Sequence, residues 1–442
     1  MRLEQGKLCI KNAEKEDCKQ LVIWWNDGAI MAHAGFPNGL GTNEEKVQKQ
    51  IAADSDDTRR RLIIWYDGNR IGEMSYANLG DNLEEIGEDA IENRTADIGI
   101  KICNPTFQEK GLGKIVLSTL IRELFSRGYT KIVLDTNLKN KRAQHVYERL
   151  GFQKVNVRMD AWTDQVGEKQ SVVDYELTKE HFEDFALKDE ISRIRKAERS
   201  FKQLFSQKRV FSEHLEKWQD DDLYDMYDHN QFVPLVDEDP TDKELELAIA
   251  YQRQLGRGFL KLDIREKLDE ALIERFSLEE CCTETMLLRN KKENIEAWKC
   301  NHDIVIYDSD FSNVLADLLL IEIETFAEAY GEDFIRRRDA RYVKKAMETP
   351  GFHYYVAYLD GKPAGACYAY ATDGYVVMDA LVVRESFRKR YIATTLMKHI
   401  ASQFKEDMFL HADADDTPKE MYGKMGFETV DRLYEYVKMW EL

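Results

Sequence analysis

In a chain of 442 residues, the first run that could do chemistry is Gln108-Glu109-Lys110-Gly111-Leu112-Gly113-Lys114. Glycines at the start of a helix let several backbone N–H groups converge on an anion, helped by the helix dipole. Gly111 and Gly113 remove the Cβ atoms that would keep a phosphate away, and Gln108, Lys110 and Lys114 can supplement the cradle. Spacing excludes two familiar phosphate binders. A P-loop needs Ser or Thr after its Gly-Lys, whereas Gly113-Lys114 is followed by Ile115, and a dinucleotide fingerprint needs a third glycine where Val116 stands. His411-Ala412-Asp413-Ala414-Asp415-Asp416 looks superficially like a metal site, yet it has neither EF-hand spacing nor a paired histidine, so no metal is expected. The seven cysteines are scattered without a C-x-x-C pair, which predicts reduced, buried thiols.

The elements around the loop are readable from periodicity. Leu62–Tyr66 predicts a strand, Asp67-Gly68-Asn69 a hairpin turn, and Ile71–Tyr76 the next strand. An acidic stretch from Asp81 to Glu92 leads to a strand over Ala96–Cys103. Beyond the loop, Leu112, Val116, Leu120 and Leu124 form one apolar stripe on a helix that Gly128 ends, and Lys131–Leu134 predicts another strand. Strand, glycine loop, helix, strand is a crossover unit in a mixed sheet.

Asn104 to Lys114 resembles the acetyl-CoA motif of the GNAT superfamily, Q/R-x-x-G-x-G/A. About 30 residues on, Asn140-Lys141-Arg142-Ala143 and Tyr147-Glu148-Arg149-Leu150-Gly151-Phe152 resemble that family's second signature. The likeness covers most of residues 1–177 and is nearest to ribosomal-protein N-terminal and aminoglycoside acetyltransferases, partly through Trp24-Trp25-Asn26-Asp27. It implies acetyl transfer from acetyl-CoA to an amine in a ternary complex. Amides from Lys110 to Lys114, including Leu112, would hold the pyrophosphate. Ile102 and Cys103 would pair with the pantetheine arm, and Asn140 would hydrogen-bond it. Tyr147 would protonate the leaving thiolate, its alternative being a packed tyrosine. The attacking amine needs a base, a carboxylate or a water chain, for which Asp97 is the candidate; its alternative is a solvent-facing strand residue. Cys103 has no evident partner histidine and reads as a packed residue rather than a nucleophile.

The order of elements recurs after Asp303. Tyr354–Tyr358, the turn at Asp360-Gly361, Ala364–Tyr370 and Tyr375–Val383 lead to Arg388-Lys389-Arg390-Tyr391-Ile392-Ala393 and a stripe of Ile392, Leu396, Ile400 and Phe404. Tyr422, Gly426 and Phe427 each follow Tyr147, Gly151 and Phe152 by 275 residues, and Arg388 follows Gln108 by 280. Here Tyr391 replaces the first glycine and Asp415 stands at the place of Asn140. Tyr391 could crowd a pyrophosphate, while Arg388 and Arg390 could compensate by charge. Arg388, Arg390, Ile392, Ala393 and Tyr422 are this copy's candidate cofactor residues. The expected class is therefore α/β (α+β): two GNAT-like mixed, twisted sheets flanked by helices (1–180 and 303–442). A helical and mixed region over 181–302 would join them.

Composition narrows the partners. A net charge of -19 argues against nucleic acid, whose phosphates need a positive surface. It suits a cationic amine such as an aminoglycoside, a polyamine or a protein N-terminus, and the acidic stretch from Asp81 to Glu92 would attract one. A 43% hydrophobic, 33% charged chain without a long apolar run is expected to be cytoplasmic and not membrane-spanning. A non-catalytic acyl-CoA sensor or scaffold is the competing reading.

Overall fold

The computed structural model describes residues 1–80, 94–235, 238–264, 266–289, 291–309, 314–414 and 418–441. The acidic stretch from Asp81 to Glu92 and the residues Asp415 and Asp416 lie outside the described residues. The chain divides into two units, Met1–Glu190 and Ile191–Leu442.

In the first unit, β1 (Arg2–Gln5) and β2 (Leu8–Asn12) precede the helices α1 (Cys18–Asn26), α2 (Gly28–Met31) and α3 (Glu44–Ala52). Next come β3 (Arg59–Tyr66), β4 (Asn69–Asn78), β5 (Thr95–Ile102), α4 (Leu112–Ser126), β6 (Lys131–Asn137), α5 (Lys141–Arg149), β7 (Gln153–Thr163) and β8 (Lys169–Thr178). The strands form one sheet in the order β1-β2-β3-β4-β5-β6-β8-β7. β5 and β6 run parallel, as a crossover through α4 requires, and the other neighbours are antiparallel. The β3–β4 hairpin turns on Asp67 (φ 51°) and Gly68 (φ 75°), the double positive φ of a two-residue turn that follows strand twist. Leu112, Val116, Leu120 and Leu124 are all buried, with Leu117 and Ile121 beside them, against Ile98, Ile132 and Leu134 of the sheet. A smaller cluster on Cys18, Leu21, Trp24, Trp25, Ile63 and Cys103 gathers around α1.

The helix α6 (Phe185–Lys202) opens the region expected to be helical and mixed. In the second unit follow β9 (Gln207–Val210), β10 (Leu215–Gln219), β11 (Phe232–Pro234), α7 (Asp242–Gln254), β12 (Phe259–Ile264), α8 (Glu270–Phe276), β13 (Glu279–Leu288) and α9 (Lys291–Ala297). The repeated part comprises β14 (Val305–Asp308), α10 (Val314–Tyr330), α11 (Glu332–Glu348), β15 (Phe352–Leu359), β16 (Lys362–Thr372), β17 (Tyr375–Val383), α12 (Ile392–Gln403), β18 (Asp407–Asp413), α13 (Pro418–Lys424) and β19 (Phe427–Met439). All eleven strands make one sheet, ordered β14-β15-β16-β17-β18-β13-β19-β12-β11-β10-β9. Residues 207–288 thus share a sheet with the repeated part. In the first unit the strand beside β6 is β8, which follows in sequence; here that place beside β18 is taken by β13, which precedes it. No helix among the described residues is long and apolar enough to cross a membrane.

Candidate active site

The site grows from a place where two parallel strands part. β5 and β6 pair from Thr95↔Lys131 to Asp97↔Val133 and no further, although both strands continue. Asp97 therefore sits at the apex of a V-shaped gap. Two residues beyond the last pair, Asp135 on β6 faces the same region, and it raises the pKa of both Asp97 and Tyr147. For Asp97 burial is the larger cause, so its carboxyl titrates above the usual value. Tyr147 is on α5 with its ring 5.9 Å from both Phe152 and Tyr175, edge to face, and burial pushes its hydroxyl up to about 12. The two expected catalytic groups share one electrostatic neighbourhood.

At the far end of β5 lies the loop. Asn104 opens a 3₁₀ turn over Pro105–Phe107 and caps it by accepting from the Thr106 amide. Gln108 then donates through Nε2 to the Ile102 carbonyl at 2.8 Å, tying the loop to the strand end. Glu109 (φ 61°) and Gly111 (φ 75°) are both left-handed, so the chain doubles back before entering α4. Among the described residues, the amides from Glu109 to Gly113 donate to no protein group. A Cβ on Gly111 or Gly113 would meet nothing within 4 Å, so the space over these amides is open to a ligand. Lys110 and Lys114 rest against Phe107 and Phe185, 5.6 and 4.3 Å from the ring centroids, and Arg142 reaches Glu109 at 3.3 Å.

The second unit reproduces this construction. β17 and β18 pair from Tyr375↔Asp407 to Val377↔Phe409 and then part. Lys389 (φ 62°) and Tyr391 (φ 65°) take the left-handed places of Glu109 and Gly111. The tyrosine holds the backbone shape of the glycine, at a strain a glycine would not carry. Its side chain is exposed and lines an open depression with Trp298, Thr394, Met421 and Lys424. Arg388 and Arg390 are exposed, Ile392 is buried under the helix start and Ala393 half-buried. Tyr422 meets Phe427 at 5.9 Å and 60°, against 5.9 Å and 61° for Tyr147 and Phe152.

Comparison with known proteins now bears on these two sites. A sequence profile described as Acetyltransferase (GNAT) family matches residues 30–152 and 315–427, more than half of the chain and both loops. The chain belongs to the acetyltransferase (GNAT) family. Among curated GNAT relatives, the ribosomal protein bS18-alanine N-acetyltransferase of Salmonella typhimurium is 33% identical over 70 residues, 16% of this chain and 47% of that protein. The Escherichia coli K12 counterpart is 31% identical over the same length. The chain spans about half the length of the curated relatives it matches. A solved structure of a functionally unknown Staphylococcus epidermidis protein covers 53% of this chain and 95% of its own at 20% identity, TM-score 0.47. Spermidine N-acetyltransferase from Vibrio cholerae, in complex with CoA and spermine, covers 40% and 98% at 20% identity, TM-score 0.34.

Three sequence expectations change in detail, two of them within the first GNAT copy. The Cys103 amide donates to the Ile71 carbonyl at 2.8 Å and its thiol is buried, titrating near 12. Cys103 thus has no amide to offer a pantetheine arm, and the strand edge available to one ends at Ile102. Asn140 spends its side-chain oxygen on the Ala143 amide, capping α5, which leaves only Nδ2 for a ligand. The cysteines are free as expected, but only Cys18, Cys103 and Cys367 are buried; Cys9, Cys282 and Cys300 are half-buried and Cys281 is exposed. Asp135 escaped the sequence reading, because nothing in its local pattern says that β5 and β6 separate just below it. Glu73, buried on β4 and accepting from Trp25 Nε1 at 2.7 Å and Lys101 Nζ at 3.2 Å, escaped likewise. Trp25 was the visible half of that pair.

Proposed function

We infer that the chain transfers the acetyl group of acetyl-CoA to a primary amine by direct attack in a ternary complex, at the first copy. The observation that carries this is the row of unengaged amides at the start of α4, lying at one end of a strand whose other end holds Asp97 beside the Asp135 that Tyr147 also feels. The amides from Lys110 to Gly113 hold the pyrophosphate, with Gln108 fixing the loop, while the Lys114 amide, expected in that row, donates to the Gly111 carbonyl at 3.3 Å. Ile102 presents the strand edge to the pantetheine arm and Asn140 donates Nδ2 to it. Acetyl-CoA supplies the activated thioester. Asp97 takes the proton of the ammonium group, and Tyr147 keeps its own proton until the thiolate leaves. The acceptor class is a cationic amine, a polyamine, an aminoglycoside or a protein N-terminus, favoured by the net charge of -19.

Tyr147→Phe tests the reading. The Phe ring keeps both edge contacts, so acetyl-CoA should bind within about twofold of wild type while kcat falls roughly 10²-fold, the scale of a lost general acid. Equal kcat in the two proteins removes Tyr147 from the mechanism. Tight acetyl-CoA binding with no turnover in either, across a panel of amines, would instead establish a sensor or scaffold.

A further inference from the structure

One buried amine in the second unit has nothing to bond to. Lys217 on β10 is 0% exposed, and its Nζ lies 4.3 Å from the centre of the Phe232 ring without a hydrogen bond. Its cross-strand partners are Arg209 on β9 and Phe232 on β11, so the three side chains form one row on one face of the sheet. Phe211 stands between Phe232 at 4.8 Å and Tyr251 of α7 at 5.5 Å, which walls that row with aromatic rings. Among the described residues no carboxylate forms an ion pair with Lys217.

A chain of hydrogen bonds runs past this amine and leaves it out. Gln219, two residues along β10 and on the same face, donates from Nε2 to Asp221 Oδ1 at 2.7 Å. Arg257 donates from Nη2 to that same oxygen at 3.1 Å. Gln219 in turn accepts from the Tyr251 hydroxyl at 2.9 Å, and Arg209 donates to that hydroxyl. Arg257 is 3% exposed, and its Nη1 is a second buried donor without a partner. Gln252 of α7, whose carbonyl accepts from the Arg257 amide at 3.0 Å, buries an unpartnered Oε1. A guanidinium thus stands at each end of the chain. Burial, with Arg257 and Arg209, pushes the Lys217 ammonium down to about 6, which leaves the free base at neutral pH. A desolvated free amine beside cations is a nucleophile. Its enclosure shuts out a bulky aldehyde or ester, whereas carbon dioxide is small, uncharged and apolar.

We propose that Lys217 is a site of reversible carbamate formation, taking up carbon dioxide on its amine, with Arg257 holding the product. The Nζ lone pair attacks the carbon of CO2, a C–N bond forms, one C=O pair moves onto oxygen, and a proton leaves the nitrogen for the solvent. Nothing is oxidised or reduced. The product offers carboxylate oxygens to the idle Nη1 of Arg257, a charge-assisted pairing, and carries one negative charge into a place with two guanidinium groups. No step of acetyl transfer enters this chemistry. Carbon NMR of the full chain, first freed of CO2 and then given isotope-labelled bicarbonate, is the test. A carbamate resonance should grow, vanish on acidification, and be missing from Lys217→Met. Arg257→Gln should reach the same occupancy only at about tenfold higher CO2, the effect of losing a charge-assisted hydrogen bond. Trapping the wild-type carbamate with an alkyl oxonium salt, followed by peptide mass analysis, should place one carboxyl ester on Lys217, a readout that needs no variant to fold. Equal resonances in wild type and Lys217→Met, or trapped ester only on the N-terminal amine, would overturn the proposal.

Discussion

Burial raises the pKa of Asp97 and of Tyr147 alike, yet it serves the two opposite duties unequally. An acid that must keep its proton at neutral pH gains from the shift; a base that must shed one is held back. For Asp97 the folded value lies above the unfolded one, so its favourable contribution to folding is present at low pH and is lost as pH rises through the folded value. Asp97→Asn should therefore melt higher than wild type at pH 7, with the gap closing near pH 4. The same variant should lose roughly 10²-fold in kcat/KM. In wild type, activity should fall on acidification below the raised value, and a flat profile from pH 5 to 8 would assign the base elsewhere.

At the scale of elements, the turn from strand to helix carries the backbone requirement. Gly111 and Tyr391 occupy one left-handed conformation, which costs a residue with a Cβ roughly 1–2 kcal/mol, partly offset by the looser unfolded chain that glycine brings. Tyr391→Gly should stabilise the second unit by about 1 kcal/mol, and Gly111→Ala should destabilise the first by a similar amount, both measurable by denaturant titration. Local chemistry made these elements legible. Asp67-Gly68 and Asp360-Gly361 announce hairpins, and the stripes from Leu112 and Ile392 announce the two helices after the loops. The helices α10 and α11 went unread, since they lack a motif and are separated only by Gly331. The partner of a strand is less legible still. Thr285–Leu288 reads as a strand, but no local pattern tells that it lies between β18 and β19, because that pairing is set by packing of residues more than a hundred positions apart.

For the molecule as a whole, the duplication is the legible part: the constant offsets of 275 and 280 residues locate both copies before any coordinate is known. What they miss is how residues 207–288 are used. That region contains Lys217, buried with its Nζ 4.3 Å from the Phe232 ring and without a hydrogen bond. Burial, with Arg257 and Arg209 nearby, pushes its ammonium down to about 6. The unfolded chain thus takes up this proton first as pH falls, and the lysine destabilises the fold increasingly between about pH 10 and 6. Lys217→Met should raise stability, by an amount growing by about 1.4 kcal/mol per pH unit down that range and levelling below it. A difference independent of pH would place a counter-ion at that nitrogen.

The seat of β19 has a consequence for synthesis. β19 pairs with β13 on one side and β12 on the other, so among the described strands it is the one that joins the β9–β12 group to the β13–β18 group within the sheet. During translation β13 emerges more than a hundred residues before either of its partners, β18 and β19, and the edge that β19 will take stays bare the longest, with Cys281 near the start of the strand. The nascent second unit must keep this edge from pairing with other chains until Phe427–Met439 has left the ribosome. A premature stop before Phe427 would split the sheet through its middle rather than trim its border.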